Sequence, residues 1–387
     1  MIIGIDIRIL GNPIKSGIEE YAENLVPHLI KEGGDIQFKL FYSSRGNFLP
    51  EYDWLREPNI ALYKFSYPNN LLFASSRFLN RPFIDSMVGG VDVFFFPHFF
   101  ISSLAPSCKR VTTFHDLSYM HFPEHLTLRK KIWHNFQMIP EWQAKFSDRI
   151  IAVSESTKND LINFYKIDPA RIEVIYSGST NSAYAEDVDI DKFKKEKNLP
   201  NRFVLFLGKL EPRKNVANLI RAFNLFKSHG RGTNQINAMG GKDYHLVIAG
   251  DKGWMHQDIF KEVERSPYKS KIIFTGHIGD EERFSYYRAA DVFVYPSFFE
   301  GFGFPPLEAM SCGTPVITSR NSSLPEVVGD AAIMVDPYDI DELEFWISKL
   351  LEDETLKAIL VAKGRERAKH FNWKATAQKT LDILTKL

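Results

Sequence analysis

Apolar residues along this chain come in short continuous runs, each closed by glycine, proline or a polar cluster, and separated by stretches with helical spacing. Runs of that kind mark strands covered on both faces, as in a parallel sheet, rather than strands with one wet face. In the first half they are MIIGIDIRIL, IQFKLFYSS, VDVFFFP, KRVTTFHDL, RIIAVS and RIEVIYSG. After the first run, Ile18, Tyr21, Leu25 and Leu29 share one face of a helix predicted from Ile18 to about Lys31. In the second half the runs are RFVLFLGKL, HLVIAGDKG, KIIFTGHIG, DVFVYPS and TPVITSR, with helices such as VANLIRAFNLFKSH, DEERFSYYRAA and ELEFWISKLLED among them. Strand and helix alternate throughout, which predicts α/β architecture. Residues 124–145 read as one helix, and residues 50–90 are aromatic and irregular, with no order assigned. Residues 230–243, GRGTNQINAMGGKD, read as a mobile loop. Residues 177–200 turn polar and poor in strand formers, so the domain boundary is placed there. Two Rossmann-like domains follow, 1–177 and 178–372, with parallel sheets expected to face each other across a cleft. The last helix, 373–387, carries Trp373, Ala377, Leu381 and Leu384 along one face and is expected to pack back on the first domain.

Length and composition fit that picture and narrow the function. A chain of 387 residues is too long for one ordinary core. With 48 basic and 48 acidic residues the formal net charge is zero, which argues against nucleic acid as a partner. The two cysteines, Cys108 and Cys312, cannot make a disulfide framework and point to a reducing cytosol. MIIGIDIRIL reads as a strand rather than a secretory leader, and no apolar run reaches the roughly 18 residues of a membrane span. Arg129, Lys130 and Lys131 beside aromatics, and the segment LLFASSRFLNRPF, leave a peripheral contact with a membrane surface open, against the plainer reading of a solvated helix face.

Candidate chemistry collects at strand ends, where open parallel sheets place ligands. The richest stretch is YPSFFEGFGFPPLEAMSCG, residues 295–313. It combines a strand end, a glycine turn and a helix start, with Glu300 on the turn and Glu308 in the helix. Gly301 and Gly303 permit close backbone approach, and a helix start offers N–H groups and a positive dipole end to an anion. Carboxylates accept hydrogen bonds from hydroxyls, so a ligand that is part anion and part polyol, such as a sugar phosphate, fits. Lys209, Arg213 and Lys214 flank another strand–helix turn and can neutralise phosphate. Gly17 stands at the first helix entrance, and His115-Asp116 and His98 close two strands, His98 ranking below His115. Each of these, taken alone, is as well explained by an ordinary turn or core residue. There is no G-x-G-x-x-G after the first strand, no P-loop, no H-E-x-x-H, no paired C-x-x-C and no G-x-S-x-G.

In order along the chain, the Gly17 loop, FHDL at 114–117, VSESTK at 153–158, GKLEPRKN at 208–215, FTGHIGDEE at 274–282, EGFGFPPLE at 300–308 and LPEVVGDAA at 324–332 resemble the retaining glycosyltransferases of the GT-B fold, group 1, with a leaning to bacterial mannosyltransferases. The resemblance implies transfer of a sugar from a nucleotide-diphosphate donor, with GDP-mannose as the expected donor, to a glycan or lipid-linked acceptor in surface polysaccharide assembly, at the cytoplasmic face of the membrane. It implies that Glu300 holds hydroxyls of the donor sugar beside the backbone of Phe302, Gly303 and Phe304. Glu308 holds the ribose, Lys209 and Lys214 bind the diphosphate, Ile278 lies by the base, His115 contacts the donor sugar and Gly17 sits by the diphosphate. His115, Glu300 and Lys214 are the catalytic set, and no metal or other cofactor is expected. Two positions depart from the family pattern: Lys209 stands where arginine is commoner, and Glu19 replaces a loop glycine. Two other readings stay open. A glycosidase would need two carboxyls roughly 5–9.5 Å apart about a scissile bond, and a nucleotide-sugar-binding protein without turnover would need no catalytic group at all.

Overall fold

The computed structural model describes residues 1–12, 16–46, 49–132, 138–179, 188–229 and 243–387. They divide into two compact units, Met1–Gly178 together with Phe371–Leu387, and Ser179–His370. In the first, β1 (Ile2–Asp6), β2 (Gln37–Ser43), β3 (Ile60–Phe65), β4 (Val93–Phe96), β5 (Lys109–Phe114), β6 (Arg149–Ala152) and β7 (Ile172–Val174) form a parallel sheet in the order β3-β2-β1-β4-β5-β6-β7. In the second, β8 (Phe203–Leu207), β9 (His245–Ala249), β10 (Ile272–Gly276), β11 (Val292–Tyr295), β12 (Val316–Ser319) and β13 (Ile333–Val335) form another, in the order β10-β9-β8-β11-β12-β13. The α/β class with two parallel sheets is as the apolar runs predict. The central strands lie under helices on both faces, which is why Phe94, Phe95 and Phe96 in β4, or Val292, Phe293 and Val294 in β11, are successive apolar residues with no exposed surface.

The two orders share one property that positions the chemistry. Each reverses once, between β1 and β4 in the first sheet and between β8 and β11 in the second. Chains leaving the two strands at such a point depart to opposite faces and open a crevice at the carboxyl edge.

Several expectations are corrected. The MIIGIDIRIL strand stops at Asp6, because its carboxylate accepts the Arg8 backbone N–H at 3.1 Å and pairs with the Arg8 guanidinium at 2.5 Å, turning the chain into a 3₁₀ turn over Arg8–Gly11. Residues 124–145 are not one helix. Helices cover Leu128–Ile132 and Pro140–Phe146, and Ile139, just before proline, takes a left-handed backbone (φ 37°), since a residue preceding proline is pushed out of the helical region. Residues 50–90, left without order, hold the edge strand β3 and helices Asn69–Leu79 and Ile84–Met87. The polar stretch in which the domain boundary was placed contains the helix Ile190–Glu196, capped by Asp189, whose Phe193 meets Tyr286 edge-to-face at 5.2 Å. The loop expected over 230–243 lies, but for Asp243, outside the described residues. The final helix, Trp373–Leu384, packs along the helix Gly17–Glu32 within the first unit, and Trp373 lies so close to Gly178 that a Cβ there would approach its ring to 2.4 Å.

Candidate functional site

The second sheet's crevice is built from two loops. After β8 the chain turns at Gly208 (φ 156°) and runs against the end of β9. A Cβ on Gly250 (φ 134°) would stand 2.1 Å from the Gly208 carbonyl oxygen, so that approach is open only to glycine. A 3₁₀ turn over Pro212–Lys214 and a left-handed Asn215 (φ 58°) lead into the helix Val216–His229. Asn215 ties the turn to the neighbouring loop: its side-chain amide donates to the carbonyls of Pro296 (3.0 Å) and Pro337 (2.7 Å). Lys214 is thereby delivered beside the chain leaving β11.

There the charges meet. Lys214 Nζ donates to Glu300 Oε1 at 2.7 Å and to the Tyr295 hydroxyl. Arg213 Nη1 donates to Glu300 Oε2 at 2.9 Å and to the Phe299 carbonyl at 2.5 Å, while its Nε and Nη2 hold Glu211 Oε1 at 3.2 and 2.9 Å. The backbone of Glu300 is fixed too: its N–H donates to Ser322 Oγ at 2.9 Å and its carbonyl accepts from Ser323 Oγ at 2.9 Å. Glu300, Lys214 and Glu211 are all buried. Burial pushes the Glu300 carboxyl up, but Arg213 and then Lys214 outweigh it and hold its pKa at about 2, so it is a carboxylate at any working pH. Burial, then Arg213, pull the Lys214 ammonium below its usual value. Arg213 is the residue sequence reasoning left outside the site. It was noted as a strand-end cation, but nothing in its spacing tells which of two adjacent cations faces the carboxylate.

Glu308 is buried and stands apart from that ion network. Its partners come from the helix Asp280–Ala289: Tyr287 donates its hydroxyl to Oε2 at 2.9 Å, and Arg283 Nη2 lies 3.1 Å from Oε1. Arg283 and Tyr287 are four apart on one helix face, a spacing visible in DEERFSYYRAA that could have located them. The helix Phe304–Ser311 opens from Gly303, whose φ of 115° is strained for any other residue. Its start is poorer in donors than expected, because Pro305 and Pro306 have no N–H. Phe302 is buried and meets Phe304 edge-to-face at 5.1 Å. Lys209 follows β8, is half-buried and has no ion pair among the described residues. Ile278, half-buried, follows β10. Both lie at the carboxyl edge of the sheet that carries the Glu300 network.

The first unit holds two candidates, on a helix start and a strand end. Gly17 is the first residue of the helix Gly17–Glu32, behind the cap Ser16, and His115 follows β5. Tyr21, one turn into that helix, meets the His115 ring edge-on at 4.8 Å. His115 Nε2 is 2.8 Å from the Pro97 carbonyl, which can only accept, so Nε2 carries the proton. Burial lowers the pKa of the ring, which is neutral at pH 7 and keeps Nδ1 as an acceptor suited to a hydroxyl donor. Asp116 is occupied otherwise, accepting from the Ser118 N–H at 3.0 Å and its hydroxyl at 2.8 Å. Glu19, the departure from the family pattern, has a structural explanation. It closes a capping box with Ser16, accepting that N–H at 2.9 Å, and takes the Asn12 side-chain amide at 2.6 Å. The loop entrance is held by a carboxylate where a glycine would leave it open.

Comparison with known proteins decides the family. Residues 187–367 match the model for "Glycosyl transferases group 1" and residues 15–179 that for "Glycosyltransferase Family 4". The chain is 33% identical over 279 residues to O-antigen chain mannosyltransferase B of Escherichia coli, a match covering 71% of this chain and 69% of that protein.

The chain belongs to the group 1 glycosyltransferases.

The serotype-specific mannosyltransferase WbdA of Escherichia coli is 31% identical over 249 residues, 62% of this chain, though the match spans 29% of that longer protein. Among solved structures, Anabaena HepE in complex with UDP and glucose superposes over 100% of both chains with a TM-score of 0.71 at 18% identity, a likeness of fold alone. The fold is GT-B, as the resemblance implied. A fixed carboxylate such as Glu300 can hold hydroxyls, and cations beside it can stabilise a departing anion. Among the described residues no group of three or more histidines, cysteines or acidic residues is placed to hold a metal ion.

Proposed function

We propose that this glycosyltransferase moves mannose from GDP-mannose, with retention of anomeric configuration, to a glycan or lipid-linked acceptor in surface polysaccharide assembly, working in the cytoplasm at the inner face of the membrane. The observation that carries the reading is the meeting of Lys214 and Glu300, separated by 86 positions in sequence and 2.7 Å in space, at the point where the second sheet reverses. The relatives, an O-antigen chain mannosyltransferase and the mannosyltransferase WbdA, favour mannose as the sugar.

In this reading the second unit binds the donor and the first takes the acceptor. Glu300 accepts hydrogen bonds from the sugar hydroxyls, with the backbone of Phe302, Gly303 and Phe304 alongside. Glu308, already pinned by Tyr287 and Arg283, receives the ribose hydroxyls. Lys209 and Lys214 neutralise the diphosphate as it leaves, so that no metal is needed, and Ile278 borders the base. His115 presents Nδ1 to a hydroxyl of the transferred sugar, and Gly17 lies by the diphosphate. The leaving phosphate is the base for the incoming hydroxyl, the usual assignment where retention proceeds without an enzyme nucleophile.

The test is a panel of nucleotide sugars offered with bacterial lipid-linked glycan acceptors, products weighed by mass spectrometry and the new linkage read by NMR. A mannose increment from GDP-mannose with the α configuration kept is the expected result. Transfer of another sugar overturns the mannose assignment, and an inverted linkage overturns retention.

A further inference from the structure

Lys214 raises a conflict that the donor reading must resolve. As folded, it is buried and its ammonium is committed to Glu300 and Tyr295, yet the same ammonium is asked to receive a diphosphate. If it turned to phosphate, Glu300, 7% exposed, would lose the partner of Oε1 and depend on whatever holds its other oxygen, since an unpaired buried carboxylate is costly.

The four charged groups at this point are Glu211, Arg213 and Lys214 from the loop after β8, and Glu300 from the loop after β11; Tyr295 on β11 completes the surroundings. They balance, two positive against two negative. Their geometry is unequal, however. Lys214 makes one contact to Glu300, at Oε1. Arg213 holds the other oxygen, Oε2, and with the same Nη1 holds the Phe299 carbonyl immediately before Glu300, while the rest of the guanidinium grips Glu211. Its own carbonyl accepts from the Phe298 N–H at 2.8 Å. Arg213 is thus stitched to the Glu300 loop at three places, and its planar fork also spans a second carboxylate, Glu211. The oxygen it holds is not the one Lys214 uses.

We propose that Arg213 is the permanent counter-ion of Glu300, and that by holding Oε2 it frees Lys214 to exchange Oε1 for the diphosphate of the donor. Arg213 is a positioning residue: it acts through Glu300 and Lys214. The proposal rests on the nucleotide-sugar reading and adds to it a division of labour between two neighbouring cations.

The test removes Arg213 without stranding Glu211. In the Glu211→Gln/Arg213→Gln variant one negative and one positive charge disappear together, so the local net charge is unchanged and no buried carboxylate is orphaned there. Lys214 must then stay on Glu300. GDP and UDP serve as probes, with affinity measured by calorimetry on proteins whose thermal melts show them folded. Affinity for the nucleotide that wild type binds falls roughly tenfold, and adding Glu300→Gln in that background restores it, because Lys214 has no carboxylate left to serve. Glu300→Gln raises affinity by a larger factor in that background than in the otherwise unaltered protein, so the two effects are coupled rather than additive. Arg213→Lys, which keeps a cation in place and disturbs folding least, recovers at least half of the lost affinity. Unchanged affinity in Glu211→Gln/Arg213→Gln, or an equal effect of Glu300→Gln in both backgrounds, overturns the proposal. Wild-type protein that binds neither GDP nor UDP overturns the nucleotide-sugar reading itself.

Discussion

Replacing Glu300 by glutamine keeps the shape of the side chain and removes its charge, and the structure says how much stability should go with it. The carboxyl pKa, 4.5 in the unfolded chain, is held at about 2 in the folded protein, a difference worth about 3 kcal/mol at neutral pH. The sign follows from the direction of the shift. A depressed carboxyl favours the folded state above its unfolded pKa, and the benefit drains away as pH falls from about 4.5 towards 2. At pH 3 the remaining contribution is about 1.4 kcal/mol. Urea unfolding of wild type and Glu300→Gln at pH 7 and at pH 3 isolates the effect, because every other titrating group is common to both proteins and cancels in the difference. The gap between them is expected to narrow by about 2 kcal/mol on acidification. A gap that is the same at both pH values would show that Arg213 and Lys214 do not hold the Glu300 carboxyl down, and the electrostatic description of the site would be wrong.

Three further outcomes are expected. Gly303→Ala must place a side chain at φ 115°, with its Cβ 2.9 Å from Leu324 Cδ2, and should lose about 1–3 kcal/mol in urea unfolding; unaltered stability would mean that the turn before the Phe304 helix is not strained. Tyr287→Phe deprives buried Glu308 Oε2 of its 2.9 Å donor and should cost about 1–3 kcal/mol while weakening GDP binding; normal affinity would remove Glu308 from the ribose. Excess EDTA should leave transfer intact, since Lys209 and Lys214 supply the positive charge; a strict requirement for added divalent metal, seen as lost product, would refute that.

How far the site could be read in advance depended on how local each signal is. Buried parallel strands are continuous apolar runs, so the alternation of strand and helix and the two-sheet class were legible, as were the strand ends where Lys214 and Glu300 would lie. The family motifs then matched, and the comparisons bear the family out. Where packing decides, the sequence was mute. β3 is half-buried along most of its length, and its short apolar stretch, Ile60–Tyr63, is cut off by Lys64 and lies among other scattered aromatics, so residues 50–90 had no order. The helix drawn through 124–145 ignored what Pro140 does to the residue before it. Glu19 was visible as a departure, but its role as a capping-box partner needed the Asn12 and Ser16 contacts. Arg213 and Lys214 are neighbours with similar chemistry; only the 3₁₀ turn decides which oxygen of Glu300 each one reaches.

The most direct measurement of the central claim is the rate of sugar transfer by Lys214→Ala and Glu300→Ala set against wild type, with circular dichroism showing each protein folded. Removing a preorganised charge from the reacting centre should lower turnover at least about 100-fold in both. Full activity in either variant would contradict the assignment of this ion pair to the transfer reaction.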